Sequence, residues 1–440
     1  MTKQFRSSVA IAALVALSAC GVFKGGPKKT PTLGDRIPIL ASETDASADA
    51  TMADIQVQLP PPEVNVAWAQ TGGNASKSMG QLALADSPAR VWSAEINGGS
   101  DRERLAASPV VADNTLFVTD VQATVHAFAA DTGARKWSMM IAGEDSKKAV
   151  RFGGGVSYDD GKVYATDGLG DVVAMNAADG AILWRAKPGG PLRGSPTIAN
   201  GNVYVLSQDN QMFALNQADG KVQWAQSGTL ETQGVFGVAA PAASQGSVVA
   251  GFSSGELSAY RYENGRVLWQ DALSRTTAST SVSSLADIDA APVVDQGRVY
   301  AIGQGGRVVA LELATGQRLW EQNFAGISTP WIAGEWLFVV TDDARLVALS
   351  RTTGRARWIS QLPRFTNEKK KSGQITWFGP VLAGNRLILT NSEGEIGYAN
   401  PSDGALVSTV KTKQSFALPP IVSNSTLYTI DEKGRITAYR

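Results

Sequence analysis

Few residues in this 440-residue chain have the types and spacing to do chemistry. There is one cysteine, Cys20, and one histidine, His126. A lone thiol cannot close an internal disulfide, and any Ser-His-Asp hydrolase or His-based metal centre would rest on His126 alone. That residue sits in an apolar strand pattern beside Ala127, where it reads as a solvated or inter-repeat side chain. Two short strings hold groups that could work together: Leu192-Arg193 in PLRGSP and Asp287-Ile288-Asp289 in LADIDAAP. A guanidinium and two carboxylates can make bidentate ion pairs across an interface, with a leucine as apolar anchor. The same groups can instead pair inside the protein while the aspartates cap a turn. Two carboxylates fall below the six to eight oxygens of a calcium site, so no metal is expected. Forty basic against forty acidic residues leave no basic field for nucleic acid, and 43% hydrophobic with 18% charged residues argues against wholesale disorder.

At the N-terminus, Lys3 and Arg6 precede an apolar run from Val9 to Leu17 and then Ser18-Ala19-Cys20. The run is too short to span a bilayer and reads as a secretory signal over residues 1–19. Leu17-Ser18-Ala19-Cys20 resembles the bacterial lipobox, in which cleavage leaves Cys20 as an acylated N-terminus. Each buried CH₂ contributes about 0.8 kcal/mol, so several chains on one residue make a lasting anchor. Without Lys3 and Arg6 the mature chain is slightly acidic. Residues 20–63 are rich in Pro, Gly, Ala, Asp, Thr and Lys, lack strand or helix period and end in three prolines, the composition of a flexible tether.

Beyond residue 64 the sequence repeats. DTGARKW, ADGAILW, ADGKVQW, ENGRVLW, ATGQRLW and TTGRARW end at Trp137, Trp184, Trp224, Trp269, Trp320 and Trp358, and SDGALVS is a seventh copy with Ser408 in place of Trp. The turn glycines, from Gly133 to Gly404, lie 38 to 51 residues apart. That period suits four short strands and their turns, one propeller blade. Paired apolar strands such as SPTIANGNVYV precede each turn, and an alanine stands six residues before most of the glycines, Tyr398 being the exception. A small side chain recurring beside a large ring predicts that the tryptophans dock blades rather than stack on a ligand. An eighth unit starts at Pro419-Pro420 and stops at Arg440 without its outer strand, while Trp92 in PARVWSAEI has a strand but no turn before it. The expectation is an all-β, eight-bladed propeller of four-stranded antiparallel blades over residues 64–440, closed by pairing N- and C-terminal strands, with Trp92, Trp137, Trp184, Trp224, Trp269, Trp320 and Trp358 as docking residues.

The Ala-x-Asp-x-x-Thr-Gly-x-x-x-Trp-like turn resembles the repeat of pyrroloquinoline quinone (PQQ) dehydrogenases. Together with the lipobox, the segment WAQTGGNASKSMGQLAL and eight units, the chain resembles the BamB family of lipoproteins, closest to alphaproteobacterial members. That resemblance implies a non-catalytic, cofactor-free scaffold of the β-barrel assembly machinery, on the periplasmic face of the outer membrane. It also implies that Leu192, Arg193, Asp287 and Asp289 dock the POTRA domains of BamA, and that unfolded outer-membrane proteins are possible further partners. Gly190 stands where the family loop has a further leucine, and Gly21, not Asp, follows the anchor cysteine, in keeping with outer-membrane sorting. The rival from another class is a PQQ-dependent dehydrogenase, whose adjacent cysteine pair this chain cannot form. A third reading is a cell-wall or polysaccharide-binding propeller, for which no aromatic series separate from the docking set speaks. The run Lys369-Lys370-Lys371 reads as a solvated loop, with contact to anionic lipid or an acidic partner as the alternative.

Overall fold

The computed structural model describes residues 47–100, 103–142, 153–230, 239–273 and 287–440. The signal segment and Cys20 lie outside them. Eight four-stranded antiparallel sheets follow one another along the chain. Blades 1 to 4 begin with the strands Val110–Ala112, Gly154–Asp159, Thr197–Ala199 and Ala242–Ser244. Blades 5 to 8 begin with Val293–Asp295, Trp331–Ala333, Trp377–Ala383 and Ile421–Ser423. Seven blades are built from consecutive strands. The eighth takes its outer strand, Arg90–Glu95, from the N-terminal side, paired antiparallel to Arg435–Tyr439 with Trp92 opposite Ala438. The sequence-derived closure is therefore observed, and the ring has no unpaired terminal blade.

The repeat string is a docking device. Within each of the seven blades that carry the tryptophan, the alanine is its direct cross-strand neighbour, as in Ala127 with Trp137 and Ala348 with Trp358, and a β-bulge follows at each pair. The ring then reaches the next blade. Its indole N–H donates to a carbonyl at that blade's last turn, for instance Trp92 to Ala130 at 3.0 Å and Trp269 to Leu313 at 2.7 Å. Its face covers the turn glycine: a Cβ at Gly133, Gly265 or Gly354 would stand 2.5 to 2.6 Å from the ring of Trp92, Trp224 or Trp320. These glycines also have φ near +70°, so both the backbone and the approaching ring select glycine.

Two features depart from the expectation. The first lies in the segment read as a tether, where described residues from 47 onward contact the ring. Residues 49–55 are laid against the outer strand of blade 6: Asp49 N–H donates to Ala356 O at 2.8 Å, Arg357 Nε donates to Ile55 O at 2.6 Å, and Met52 is buried. The stretch lacks periodicity because it adds no element to a sheet; it borrows the blade's surface.

The second is an inner belt. Residues 65–82 hydrogen-bond to the first strands of the blades, or to the turns that follow them, in ring order. Asn65 bonds blade 8 through Val422 and Asn424, Trp68 bonds Val111 in blade 1, Ala69 bonds Tyr158 in blade 2 and Gln70 bonds Ile198 in blade 3. Ala75, Ser76, Gly80 and Leu82 then bond Ala243, Val294, Trp331 and Leu382, in blades 4 to 7. The Trp68 ring stacks on Trp331 at 6.0 Å, and the Lys77 side chain is buried with its Nζ 3.2 Å from Thr197 Oγ1. Burial without a carboxylate pushes the Lys77 amine down to about 7.

Candidate partner-docking site

The chain passes from the outer strand of one blade to the inner strand of the next at the end of the ring opposite the inner-strand hairpins. Two of these crossing loops hold the residues singled out in the sequence. Before blade 3, Arg193 N–H donates to Leu206 O at 2.8 Å, Gly154 N–H donates to Arg193 O at 3.0 Å, and Gln208 N–H donates to Pro191 O at 2.7 Å, which stitches the loop to blades 2 and 3. Before blade 5, Ile288 N–H donates to Phe252 O at 3.2 Å and Gln304 N–H to Asp287 O at 2.9 Å.

The two loops are clamped together by one guanidinium. Arg193 Nη2 donates to Asp287 Oδ1 at 2.8 Å and to Asp289 Oδ1 at 3.1 Å, while Gln304 Nε2 donates to Asp289 Oδ2 at 2.7 Å. Arg193, Leu192 and Asp287 are at most 1% exposed. The geometry is thus the internal ion pair, not a guanidinium and leucine offered to solvent. Leu192 packs with Tyr164, Val172 and Ile198 in the core between blades 2 and 3. An arginine held between two carboxylates has its charge matched at home, although its Nε and Nη1, like Asp287 Oδ2, find no hydrogen-bond partner, and turning it outward would leave both acids buried without a cation. Leu285 and Ala286, upstream of the pair, lie outside the described residues.

Burial dominates the electrostatics. It raises the Asp287 carboxyl above its ordinary range despite Arg193, and burial together with the neighbouring Asp287 pushes Asp289 up to about 7. Asp289 is the one of the four singled-out residues that lines a surface cup of about 430 Å³ at the ring's centre, with Ser195, Gln304, Ser328, Phe378 and Thr71 of the belt among its other walls. Sequence reasoning missed Gln304 and the belt; the glycine pair Gly72-Gly73, both at positive φ, was the local signal of an irregular segment.

The donor set of this cup does not fit a quinone with its calcium ion: small and apolar side chains surround one carboxylate, already engaged by Arg193 and Gln304. Among the described residues no group of three or more His, Cys, Asp or Glu side chains is placed to hold a metal. His126 is buried in blade 1, its Nε2 2.9 Å from Asp120 and its Nδ1 2.5 Å from Arg135 Nη1, and Asn97 donates to the same aspartate at 2.6 Å. The lone histidine thus braces the joint with the closing strand. Lys369, Lys370 and Lys371 are exposed at the tip of a small hairpin, Phe365–Asn367 with Ser372–Gln374, inserted between blades 6 and 7.

Comparison with known proteins decides the family. A profile described as "Outer membrane protein assembly factor BamB" matches residues 78–144 and 121–360. The chain belongs to the BamB family. The proteins of that name from Shigella dysenteriae and Escherichia coli are 34% and 33% identical to it over 79% of this chain and 88% of theirs. BamB from Moraxella catarrhalis superposes with a TM-score of 0.69 at 20% identity, over 80% of this chain and all of that one. The propeller itself is shared with enzymes: quinohemoprotein alcohol dehydrogenase from Comamonas testosteroni gives a TM-score of 0.64 at 14% identity, over 85% of this chain and 80% of that one. This BamB-family ring thus has a fold common to enzymes and assembly factors, and its site residues must distinguish them.

Proposed function

We propose that this chain is a non-catalytic scaffold that assists assembly of outer-membrane proteins. It is anchored through acylated Cys20 on the periplasmic face of the outer membrane and docks the POTRA domains of BamA through the blade 3 and blade 5 loops. The observation that carries this reading is the Arg193–Asp287–Asp289 clamp, which joins two loops on one face without offering a catalytic constellation. In this reading the arginine shapes the docking face instead of touching the partner. The partner meets what the clamp holds outward, chiefly exposed Pro191 and half-buried Gln304 and Asp289. A photocrosslinking residue at Pro191 or Gln304 should capture BamA in the membrane, whereas one at Asn424, on a first hairpin at the opposite end, should not. Capture from Asn424 alone would overturn the assignment of the face.

A further inference from the structure

The seven tryptophans serve seven junctions, and the remaining one is built differently. Blade 7 has Ser408 where the ring should be, and blade 8 has no last turn to receive it, because Tyr439-Arg440 ends one strand and Arg90 begins the next. Tyr398 fills the alanine position opposite Ser408 and is buried there. The outer strand Leu406–Lys411 has five of its six residues exposed, and on the face that Ser408 shares Val410 is 45% exposed. Between this strand and blade 8 lies a groove of about 380 Å³, walled by Val410, Lys411 and Lys413 on one side and Arg90, Arg435 and Tyr439 on the other.

The groove is basic. Lys411 has Glu395 at 3.4 Å and Arg435 has Glu95 at 3.2 Å, whereas Arg90 and Lys413 have no carboxylate in ion-pair range among the described residues. The one carboxylate in the wall, Asp431, is spent on the backbone N–H groups of Lys433 and Arg435 at 3.0 and 2.9 Å. An outermost strand of sequence LVSTVK, paired to a neighbour on one side only, is a template for strand addition. We infer that this junction is a docking groove for an extended acidic segment of a partner protein, which adds as a strand to Leu406–Lys411 while its carboxylates meet Arg90 and Lys413. Charge complementarity selects the acidic segment, and the bare edge beside the charges selects an extended peptide over a lipid headgroup.

The test uses the full mature chain and a fluorescent eight-residue peptide of alternating Glu and Val, followed by anisotropy. The peptide should bind, its Lys-Val counterpart should not, and Lys413→Glu, at an exposed position where folding is not at risk, should weaken binding about tenfold, as should Arg90→Glu. Methylating alternate backbone nitrogens of the acidic peptide should also abolish binding, since a strand needs its N–H groups. Absence of binding, equal binding of the methylated peptide, or indifference to Lys413→Glu would overturn the proposal. So would phosphatidylglycerol vesicles, or self-association of the chain in sedimentation, showing the Lys413 dependence that the peptide lacks.

Discussion

The ring of Trp92 lies on Gly133, so that a Cβ at Gly133 would come within 2.5 Å of Cε3. Because Trp92 stands in the strand that closes blade 8 and Gly133 in the last turn of blade 1, this contact joins the N-terminal strand to the ring twice: by sheet pairing on one side and by docking on the other. Gly133→Ala should therefore lower stability by roughly 2–4 kcal/mol, through a side chain forced to positive φ and an overpacked ring. Denaturant unfolding of the purified chain measures it, and a loss below about 0.5 kcal/mol would show that the turn can yield.

Closure predicts cooperativity. Deleting residues 88–96, or ending the chain before Arg435, removes one edge of the joint in blade 8 and should abolish the single calorimetric transition of the ring. A deleted chain that melts like the intact one would show that the ring does not depend on this strand.

Lys77 should make stability depend on pH in the alkaline range. Its folded pKa, about 7, lies below the usual lysine value, so the unfolded chain binds the extra proton between about pH 7 and 10 and stability rises with pH across that window. Below it, the amine is charged in both states and its burial costs in full, at about 1.4 kcal/mol per pH unit of displacement. Lys77→Met should flatten the profile and raise the Tm most at pH 6. A variant whose Tm follows the parent's pH curve would place the titration elsewhere.

Asp289 acts with the opposite sign. Its raised pKa, about 7, gives the folded chain the extra proton, so its contribution is present below pH 4 and lost as pH rises through 7. Arg193→Ala should cost about 3–5 kcal/mol at pH 8, because it leaves Asp287 and Asp289 buried without their cation, and less at pH 5. Thermal melts at the two pH values separate these outcomes, and an Arg193→Ala penalty independent of pH would contradict the clamp.

The missing tryptophan can be probed by a double-mutant cycle. Ser408→Trp alone sets a large ring against Tyr398 and should destabilise by about 1–3 kcal/mol, whereas Ser408→Trp with Tyr398→Ala restores the small-large pairing of the other blades. Additive losses in the cycle would mean that the two positions do not share the space.

What was legible in the sequence was whatever repeats. The turn glycines, their tryptophans and the partner alanines recur at one spacing, so blade number, docking residues and the closing role of Trp92 could be read from periodicity alone. The belt and the clamp could not. Gln70 meets Ile198 and Arg193 meets Asp287 across 128 and 94 residues, and each such contact occurs once. PLRGSP and ADID identify groups able to pair but carry no information on which way they turn; the backbone hydrogen bonds to Leu206 and Phe252 and the burial of Arg193 and Asp287 decide that. Residues 47–63 read as a tether because polar, proline-rich composition reports on the absence of a private core, not on whether a neighbouring blade lends one.

The central claim is that the face built on the clamp binds BamA. The direct measurement is the dissociation constant of the chain for the isolated POTRA domains, comparing Pro191→Glu, which leaves Arg193, Asp287, Asp289 and Gln304 in place, with Asn424→Glu at the opposite end. The account predicts at least about tenfold weaker binding for the first at unchanged Tm, and no change for the second. Unchanged affinity in Pro191→Glu, or weakening confined to Asn424→Glu, would contradict it.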